Sequence, residues 1–254
     1  MSKYVIEAPE IIGLPIMGSD ELFPVRRVYC VGRNYAEHAK EMGFTGREDP
    51  FFFCKPADAL VAIPAGKPGQ IPYPSKTANL HYEMELVVAL GSGGVNIPVD
   101  QANDCVFGYA LGLDMTRRDL QNECKKQGRP WEIGKGFDSS GPIGPIHPRA
   151  LTGTLSQGNI TLSVNGIQKQ TSDLSQMIWN IPESIAYLSG LFELKAGDLI
   201  FSGTPEGVGA VVKGDKMIGH VAGLGEFEKA LGIVNDVLIK KPPKNPSGLA
   251  TAEK

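Results

Sequence analysis

Glu83 and Glu85 stand one residue apart in Leu80-His-Tyr-Glu-Met-Glu-Leu-Val-Val-Ala-Leu90, where a mixed segment passes into an unbroken apolar run. The run from Glu85 to Leu90, aliphatic and β-branched after its first residue, reads as a buried strand. Residues i and i+2 of a strand point to one face, so both carboxylates project side by side where the chain enters the core. Two like charges there repel, and burying them unpaired is costly. A hard divalent cation removes that cost, because Mg²⁺ and Ca²⁺ take oxygen ligands. Read alone, a Glu-x-Glu pair also suits a solvated strand face, since glutamate is mostly exposed.

A third carboxylate has a similar setting. Phe107-Gly-Tyr-Ala-Leu-Gly-Leu113 is long enough for a strand and ends at Asp114, after which Met115-Thr-Arg-Arg-Asp-Leu-Gln121 is polar. Strand ends and the loops beyond them carry many functional groups. Asp114 could equally cap the polar helix that follows. Three carboxylates on two adjacent strand ends suit Mg²⁺ or Mn²⁺, with positions left for water or substrate.

Other residues have the types that act around such a centre. His38 and Glu41 are three apart on a short polar helix, hence on one face, and a carboxylate beside an imidazole makes a water-activating base. An exposed surface pair has the same spacing. Lys135 sits between Gly134 and Gly136, where the backbone can approach a ligand and an ammonium can stabilise a developing oxyanion. Arg118 and Gln121 follow Asp114 by four and seven residues, a helical spacing that could face the site, and Arg suits bidentate capture of a carboxylate. By spacing alone Arg117 could be the inward residue instead. Thr204, in Ser-Gly-Thr-Pro, offers a hydroxyl in a tight turn, and the absence of Gly-Lys-Ser/Thr excludes a phosphate-binding loop. His81 is a candidate to support the Glu-x-Glu, His147 and His220 look structural, and Cys124-Lys-Lys-Gln-Gly-Arg129 reads as a solvated helix end rather than an anion site.

Five segments occur in one order: Val31-Gly-Arg-Asn-Tyr-Ala-Glu-His38, His81-Tyr-Glu-Met-Glu85, Gly112-Leu-Asp-Met-Thr-Arg-Arg-Asp119, Gly134-Lys-Gly-Phe-Asp138 and Ser202-Gly-Thr-Pro-Glu-Gly207. Together they resemble the fumarylacetoacetate hydrolase family, in particular its acylpyruvate and fumarylpyruvate hydrolase branch, along residues 26 to 238. The resemblance implies a mostly β, α+β fold, a mixed sandwich-like roll with short helices, and a homodimer. It implies Glu83, Glu85 and Asp114 as ligands of Mg²⁺ or Mn²⁺, and His38 with Glu41 as a catalytic dyad on a lid-like segment. Lys135 becomes a substrate and oxyanion contact near the metal. Arg118 rather than Arg117 faces inward, and Arg33, Lys55, Gln121 and Thr204 are placed around the substrate.

The implied reaction is hydrolysis of the C3–C4 bond of a 2,4-diketo acid, with fumarylpyruvate, from the gentisate route of aromatic breakdown, as the specific expectation. Oxaloacetate decarboxylation or isomerisation of a 2-oxo-ene diacid needs the same enolate but no hydrolytic water. A non-enzymatic metal-binding module would need no water-activating base, so the His38 and Glu41 pair speaks against it.

The elements that must position these residues follow from composition and punctuation. The 31 glycines and 19 prolines make 50 of 254 residues, about a fifth against roughly an eighth in average proteins, as suits a turn-rich β protein. No apolar stretch has the length of a membrane helix, the N-terminus lacks a signal peptide's apolar core, and a net charge of −3 gives no electrostatic case for nucleic acid. Cys30, Cys54, Cys105 and Cys124 lack paired metal-site spacing and read as reduced thiols of a cytoplasmic protein. Residues 1 to 25 form an N-terminal extension, 26 to 238 the catalytic domain and 239 to 254 a disordered tail. A strand at Arg27 to Val31 precedes a helix at Tyr35 to Met42, capped by Asn34 and ended by Gly43. The prolines between Pro56 and Pro74 exclude much helix there. Asn165-Gly166 marks a hairpin, Ser175 to Leu191 reads as a helix around Pro182, and Leu199 to Ser202 as a strand.

Overall fold

The computed structural model describes residues 4–41, 47–65, 68–224 and 234–240, with the backbone alone for 39–41 and 234–240. Strands dominate, and the longest helix among the described residues, Ile181–Leu191, has 11 residues, so the mostly β expectation holds.

An eight-stranded mixed sheet carries the site. Its order is Phe51–Lys55, Val28–Gly32, Leu199–Phe201, Met84–Leu90, Val106–Leu113, Gly141–Ile143 and Leu60–Ala62, with His147–Pro148 also beside Val106–Leu113. Two of its pairings are parallel, Leu199–Phe201 with Val28–Gly32 and Gly141–Ile143 with Leu60–Ala62. A five-stranded sheet runs Ile167–Asp173, Asn159–Val164, Lys216–Val221, Val234–Lys240 and Gly69–Pro72. A small third sheet sets Leu80–Tyr82 between Thr116–Arg117 and Gly209–Val211.

The apolar run after Glu85 explains why the first sheet is enclosed on both faces. Leu86, Val88 and Leu90 join Leu111, Leu162, Val164 and Met217 in the core between the two large sheets. Val87 and Ala89 point the other way, into a second cluster with Ala110, Phe201, Leu14 and Phe23. Burying each aliphatic side chain contributes roughly 1.5–3 kcal/mol, which anchors the strand that delivers the glutamates. Leu14 and Phe23 come from the short hairpin Gly13–Pro15 and Leu22–Pro24, so the segment ahead of residue 26 closes part of the core.

Local signals decide the remaining elements. Asn165 and Gly166 take φ of 52° and 79°, the conformation a two-residue hairpin needs, and join Asn159–Val164 to Ile167–Asp173. The expected helix from Ser175 begins later. Leu174–Gln176 is a single 3₁₀ turn, and Ile181–Leu191 starts at a capping box in which Asn180 Oδ1 accepts the Glu183 N–H at 3.0 Å and Glu183 Oε2 accepts the Asn180 N–H at 3.1 Å. Pro182 lies in the first turn, where its missing donor costs nothing. Asn34 was expected to cap the next helix, Ala36–Glu41, but ties two loops together: Nδ2 donates to the carbonyls of Trp179 and Ser202, each at 2.8 Å, and Oδ1 accepts the Trp179 N–H at 2.8 Å. The expected helix end at Gly43 and the expected disordered tail beyond residue 240 lie outside the described residues.

Candidate metal centre and active site

Strand register brings the three acidic residues together. Met84 lies opposite Leu113 and Glu85 opposite Gly112 in an antiparallel pair. One step further, the Asp114 N–H donates to the Glu83 carbonyl at 2.8 Å. Glu83 and Asp114 therefore end neighbouring strands face to face, and Glu85 joins them from two residues along, so one ligand oxygen from each lies within 4.8 Å of the others. All three are buried. Asp114 is no helix cap, since the helix Arg118–Gln127 starts four residues on and has no side-chain cap.

Cations surround this cluster. Lys135 Nζ lies 2.8 Å from Glu83 Oε2 and 2.6 Å from Asp114 Oδ2. Lys55 Nζ lies 2.8 Å from Asp114 Oδ1, and Arg118 Nη2 lies 2.5 Å from Glu83 Oε1. Arg118 Nη1 also donates to Gln121 Oε1 at 2.9 Å. Burial alone would raise the Glu83 carboxyl, but Lys135, Arg118 and His38 outweigh it and hold the group well below its ordinary value. Glu85 has no such partner. Burial, with Asp114 and Glu83 beside it, pushes its carboxyl well up, opposed by Lys135 and by the Gly203 N–H that donates to Oε2 at 2.8 Å.

The donor set fits a hard divalent ion. Three carboxylates converge, Glu85 has no ion-pair partner among the described residues, and Asp114 Oδ1, although within ion-pair distance of Lys55, has no hydrogen-bond donor in line. The Lys135 ammonium bridges Glu83 and Asp114, holding positive charge at the place where a metal dication is called for.

Supporting backbone fixes the geometry. Gly134 lets the turn Glu132–Lys135 rest on the preceding helix, Arg118–Gln127, because a Cβ there would come within 3.0 Å of the Gln121 backbone. Gly203 has a φ of 97°, and a Cβ would meet Asn34 Cβ at 2.6 Å, so the N–H that serves Glu85 depends on glycine. Gln170, fully buried, accepts the Met84 N–H at 3.0 Å and donates to Thr204 Oγ1 at 2.9 Å, while that hydroxyl donates to the Met84 carbonyl at 2.8 Å.

Above the carboxylates opens a cavity that reaches solvent. Its floor includes the acidic cluster with Arg118 and Lys135, and its walls include His38, Gln121 and Thr204. Its outer part has Arg33 over the Phe51 ring at 4.6 Å and Lys125 Nζ over the Trp131 ring at 4.9 Å. Phe51 and Trp131 themselves meet edge to face at 5.2 Å.

The model of the fumarylacetoacetate hydrolase C-terminal domain matches residues 27–231. The chain belongs to the fumarylacetoacetate hydrolase family. It is 54% identical to a crystal structure of fumarylpyruvate hydrolase from Pseudomonas aeruginosa in complex with Mn²⁺ and pyruvate, with a TM-score of 0.88 over 94% of this chain and 100% of that one. A fumarylpyruvate hydrolase of a Ralstonia species is 47% identical over 73% of this chain and 94% of its own length. A mitochondrial oxaloacetate tautomerase of Rattus norvegicus is 44% identical over 78% and 88%.

On this fumarylacetoacetate hydrolase fold most of the expected site residues meet around one cavity, with two differences. Lys55 is fully enclosed and lies behind Asp114, where its ammonium also donates to the carbonyls of Lys135 and Met115. It braces the floor rather than lining the cavity. The Thr204 hydroxyl is occupied by Met84 and Gln170. Arg117 turns away, stacking over Phe137 at 4.4 Å, which leaves Arg118 as the inward arginine. His38 is buried on the cavity wall, while the side chain of Glu41, at the helix end, lies outside the described residues. His81 Nε2 pairs with Asn79 Oδ1 at 2.9 Å, and burial with Arg118 nearby pushes its pKa down to about 4, so it is neutral at physiological pH.

Three features escaped the sequence reading: Gln170, the aromatic pair Phe51 and Trp131, and Lys125. The last was legible in principle, because Arg118, Gln121 and Lys125 repeat at i, i+3 and i+7 on one helix face.

Proposed function

We propose that this protein is a divalent-cation-dependent hydrolase that splits a 2,4-diketo acid, with fumarylpyruvate and water giving fumarate and pyruvate. The carrying observation is the buried Glu83, Glu85 and Asp114 cluster beneath an open cavity. The 54% identity to a fumarylpyruvate hydrolase crystallised with Mn²⁺ and pyruvate supports the substrate class. When bound, Mg²⁺ or Mn²⁺ supplies Lewis-acid stabilisation of the α-keto acid end.

The chain's own residues do the rest. Arg118, lining the cavity and held in place by Gln121 and Glu83, brings a fixed guanidinium charge to the substrate's carboxylate end. His38, with Glu41 as its orienter, takes a proton from the water that attacks C4. The C3–C4 bond then breaks, its electron pair stays on C3 as the pyruvate enolate, C4 becomes the new carboxyl group of fumarate, and the proton held on His38 passes to C3 to complete pyruvate. Lys135, whose ammonium is stabilised by Asp114 and Glu83 against the effect of burial, donates to the oxyanion formed at C4.

The test is loss of the conjugated diketo absorbance with Mg²⁺ or Mn²⁺, with and without chelator, and with the products identified. Metal-dependent release of equal amounts of fumarate and pyruvate is expected; consumption without pyruvate would overturn the reading.

A second reading has its own support in the 44% identity to an oxaloacetate tautomerase. Tautomerisation or decarboxylation of oxaloacetate uses the same keto-acid end and no hydrolytic water. Comparing rates on oxaloacetate, acetylpyruvate, maleylpyruvate and fumarylpyruvate ranks the two. We further propose a cytoplasmic homodimer, which sedimentation at micromolar concentration tests for its oligomeric part.

A further inference from the structure

The helix Arg118–Gln127 runs from the floor of the cavity to its mouth. Arg118, Gln121 and Lys125 all line it, at successive turns of one face. Seven residues of helix span roughly 10 Å. Arg118 reaches Glu83 at the inner end. Lys125, two turns further out and half-buried, has no carboxylate within ion-pair distance among the described residues, and its ammonium rests on the Trp131 ring. Across the Phe51 and Trp131 pair, Arg33 holds the matching place on Phe51.

The mouth thus carries a partly desolvated ammonium beside two aromatic rings and a second cation, an arrangement that favours an anion attached to a flat, conjugated group. We infer that the outer end of the cavity is a second anion subsite, in which Lys125 receives the carboxylate at the acyl end of the substrate and Phe51 with Trp131 hold the conjugated carbons before it. The enzyme then selects acyl groups that end in a carboxylate over neutral ones. This rests on the diketo-acid reading and deepens it.

The dimensions agree. Six carbon–carbon bonds of about 1.5 Å separate the carboxyl carbons of fumarylpyruvate, roughly 7–8 Å end to end when extended, which suits two groups on helix turns about 10 Å apart at their backbones. Acetylpyruvate, ending in a methyl group, leaves Lys125 unengaged. Burial, with Arg118, Lys135 and Arg33 adding and Glu83 opposing, pushes the Lys125 ammonium down to about 8, a penalty that a bound carboxylate relieves.

The experiment compares kcat/KM on fumarylpyruvate and acetylpyruvate for the wild type, Lys125→Met and Lys125→Arg. It adds calorimetric titration of the metal-loaded protein with fumarate and, separately, pyruvate. Lys125→Met is expected to lower kcat/KM on fumarylpyruvate by about 10–100-fold, mostly through KM, with a loss on acetylpyruvate at least about tenfold smaller. Lys125→Arg should recover most of the difference. Fumarate should bind the wild type and bind Lys125→Met at least about fivefold more weakly, with pyruvate affected less. Equal losses on both substrates, or fumarate binding that ignores Lys125, would overturn the subsite. Lys125-dependent fumarate binding without hydrolysis of either diketo acid would retain the subsite and overturn the hydrolase reading instead.

Discussion

At the floor of the cavity Glu83 and Asp114 meet Lys55, Lys135 and Arg118 in contacts of 2.5–2.8 Å, with Glu85 beside them. At its mouth Arg33 and Lys125 lie 4.6 and 4.9 Å above aromatic rings. The floor is enclosed and fixed by backbone: the Gly203 N–H, the Gln170 amide and the opposed strand ends leave its charges one arrangement. The mouth is half-buried and held by weaker, less directional contacts worth about 0.5–2 kcal/mol each. Substitutions at the floor should therefore strike the metal, the chemistry and the fold together. Those at the mouth should alter which substrate is preferred.

The largest effect is expected at the floor. Glu85→Ala removes one of the three proposed ligands and leaves Glu83 and Asp114 without the third member of the set. Metal-dependent turnover should fall to background, and titration calorimetry should show metal binding lost or greatly weakened. Wild-type metal affinity in this variant would dissolve the distinction between a metal floor and a substrate mouth.

His38→Ala is expected next. Losing a positioned base typically costs 10²–10⁴-fold in rate. The drop should appear in kcat toward fumarylpyruvate while the metal still binds, because the imidazole is not a ligand in this scheme. Oxaloacetate turnover should suffer less, since it consumes no activated water. Unchanged hydrolysis by this variant would place water activation elsewhere.

Stability should separate the two ends as well. Lys55→Met removes one of the two ammonium groups paired with buried Asp114 and leaves Lys135 alone with it; breaking one side of a buried pair costs up to about 3–5 kcal/mol. Lys125→Met removes a half-buried cation that has no ion-pair partner among the described residues and should cost less than about 1 kcal/mol. Urea denaturation of the metal-free proteins measures both. Saturating metal should shrink the Lys55 penalty, because the dication takes over part of the compensation. Similar costs for the two lysines would mean that the mouth is as tightly built as the floor.

The same contrast explains what could be read in the chain. Glu83, Glu85 and Asp114 were visible because carboxylates beside long apolar runs are chemically expensive and need a reason. Their meeting was not visible, because it depends on the register that sets Glu85 opposite Gly112 and brings Asp114 to Glu83. The resemblance put Lys55 at the substrate, but whether a lysine lies in the cavity wall or behind it depends on sheet order, here Phe51–Lys55 at one edge of the large sheet. The helix over Ile181–Leu191 was placed correctly in its body and too early at its start, since Asn180 and Glu183 form a cap that outweighs the apolar pattern before it. Lys125 was passed over because a Lys-Lys pair near a helix end is ordinarily solvated; only the turn that carries Trp131 against it makes it part of a cavity.

The smallest and sharpest prediction concerns pH. With Lys125 held near 8, the outer cation is present below that pH and lost above it. The free enzyme's groups govern kcat/KM, so its value for fumarylpyruvate should fall as pH rises through about 8 on account of Lys125. Under the proposed mechanism His38 and the floor act on fumarylpyruvate and acetylpyruvate alike. Dividing one substrate's kcat/KM by the other's removes those shared titrations and leaves the Lys125 contribution. That ratio should be level about one pH unit below the midpoint and fall, by no more than the whole Lys125→Met effect, about one unit above it. Lys125→Arg keeps its charge throughout this range and should hold the ratio level. A level ratio in the wild type, or a decline that persists in Lys125→Arg, would remove Lys125 from substrate choice and leave the mouth with packing alone.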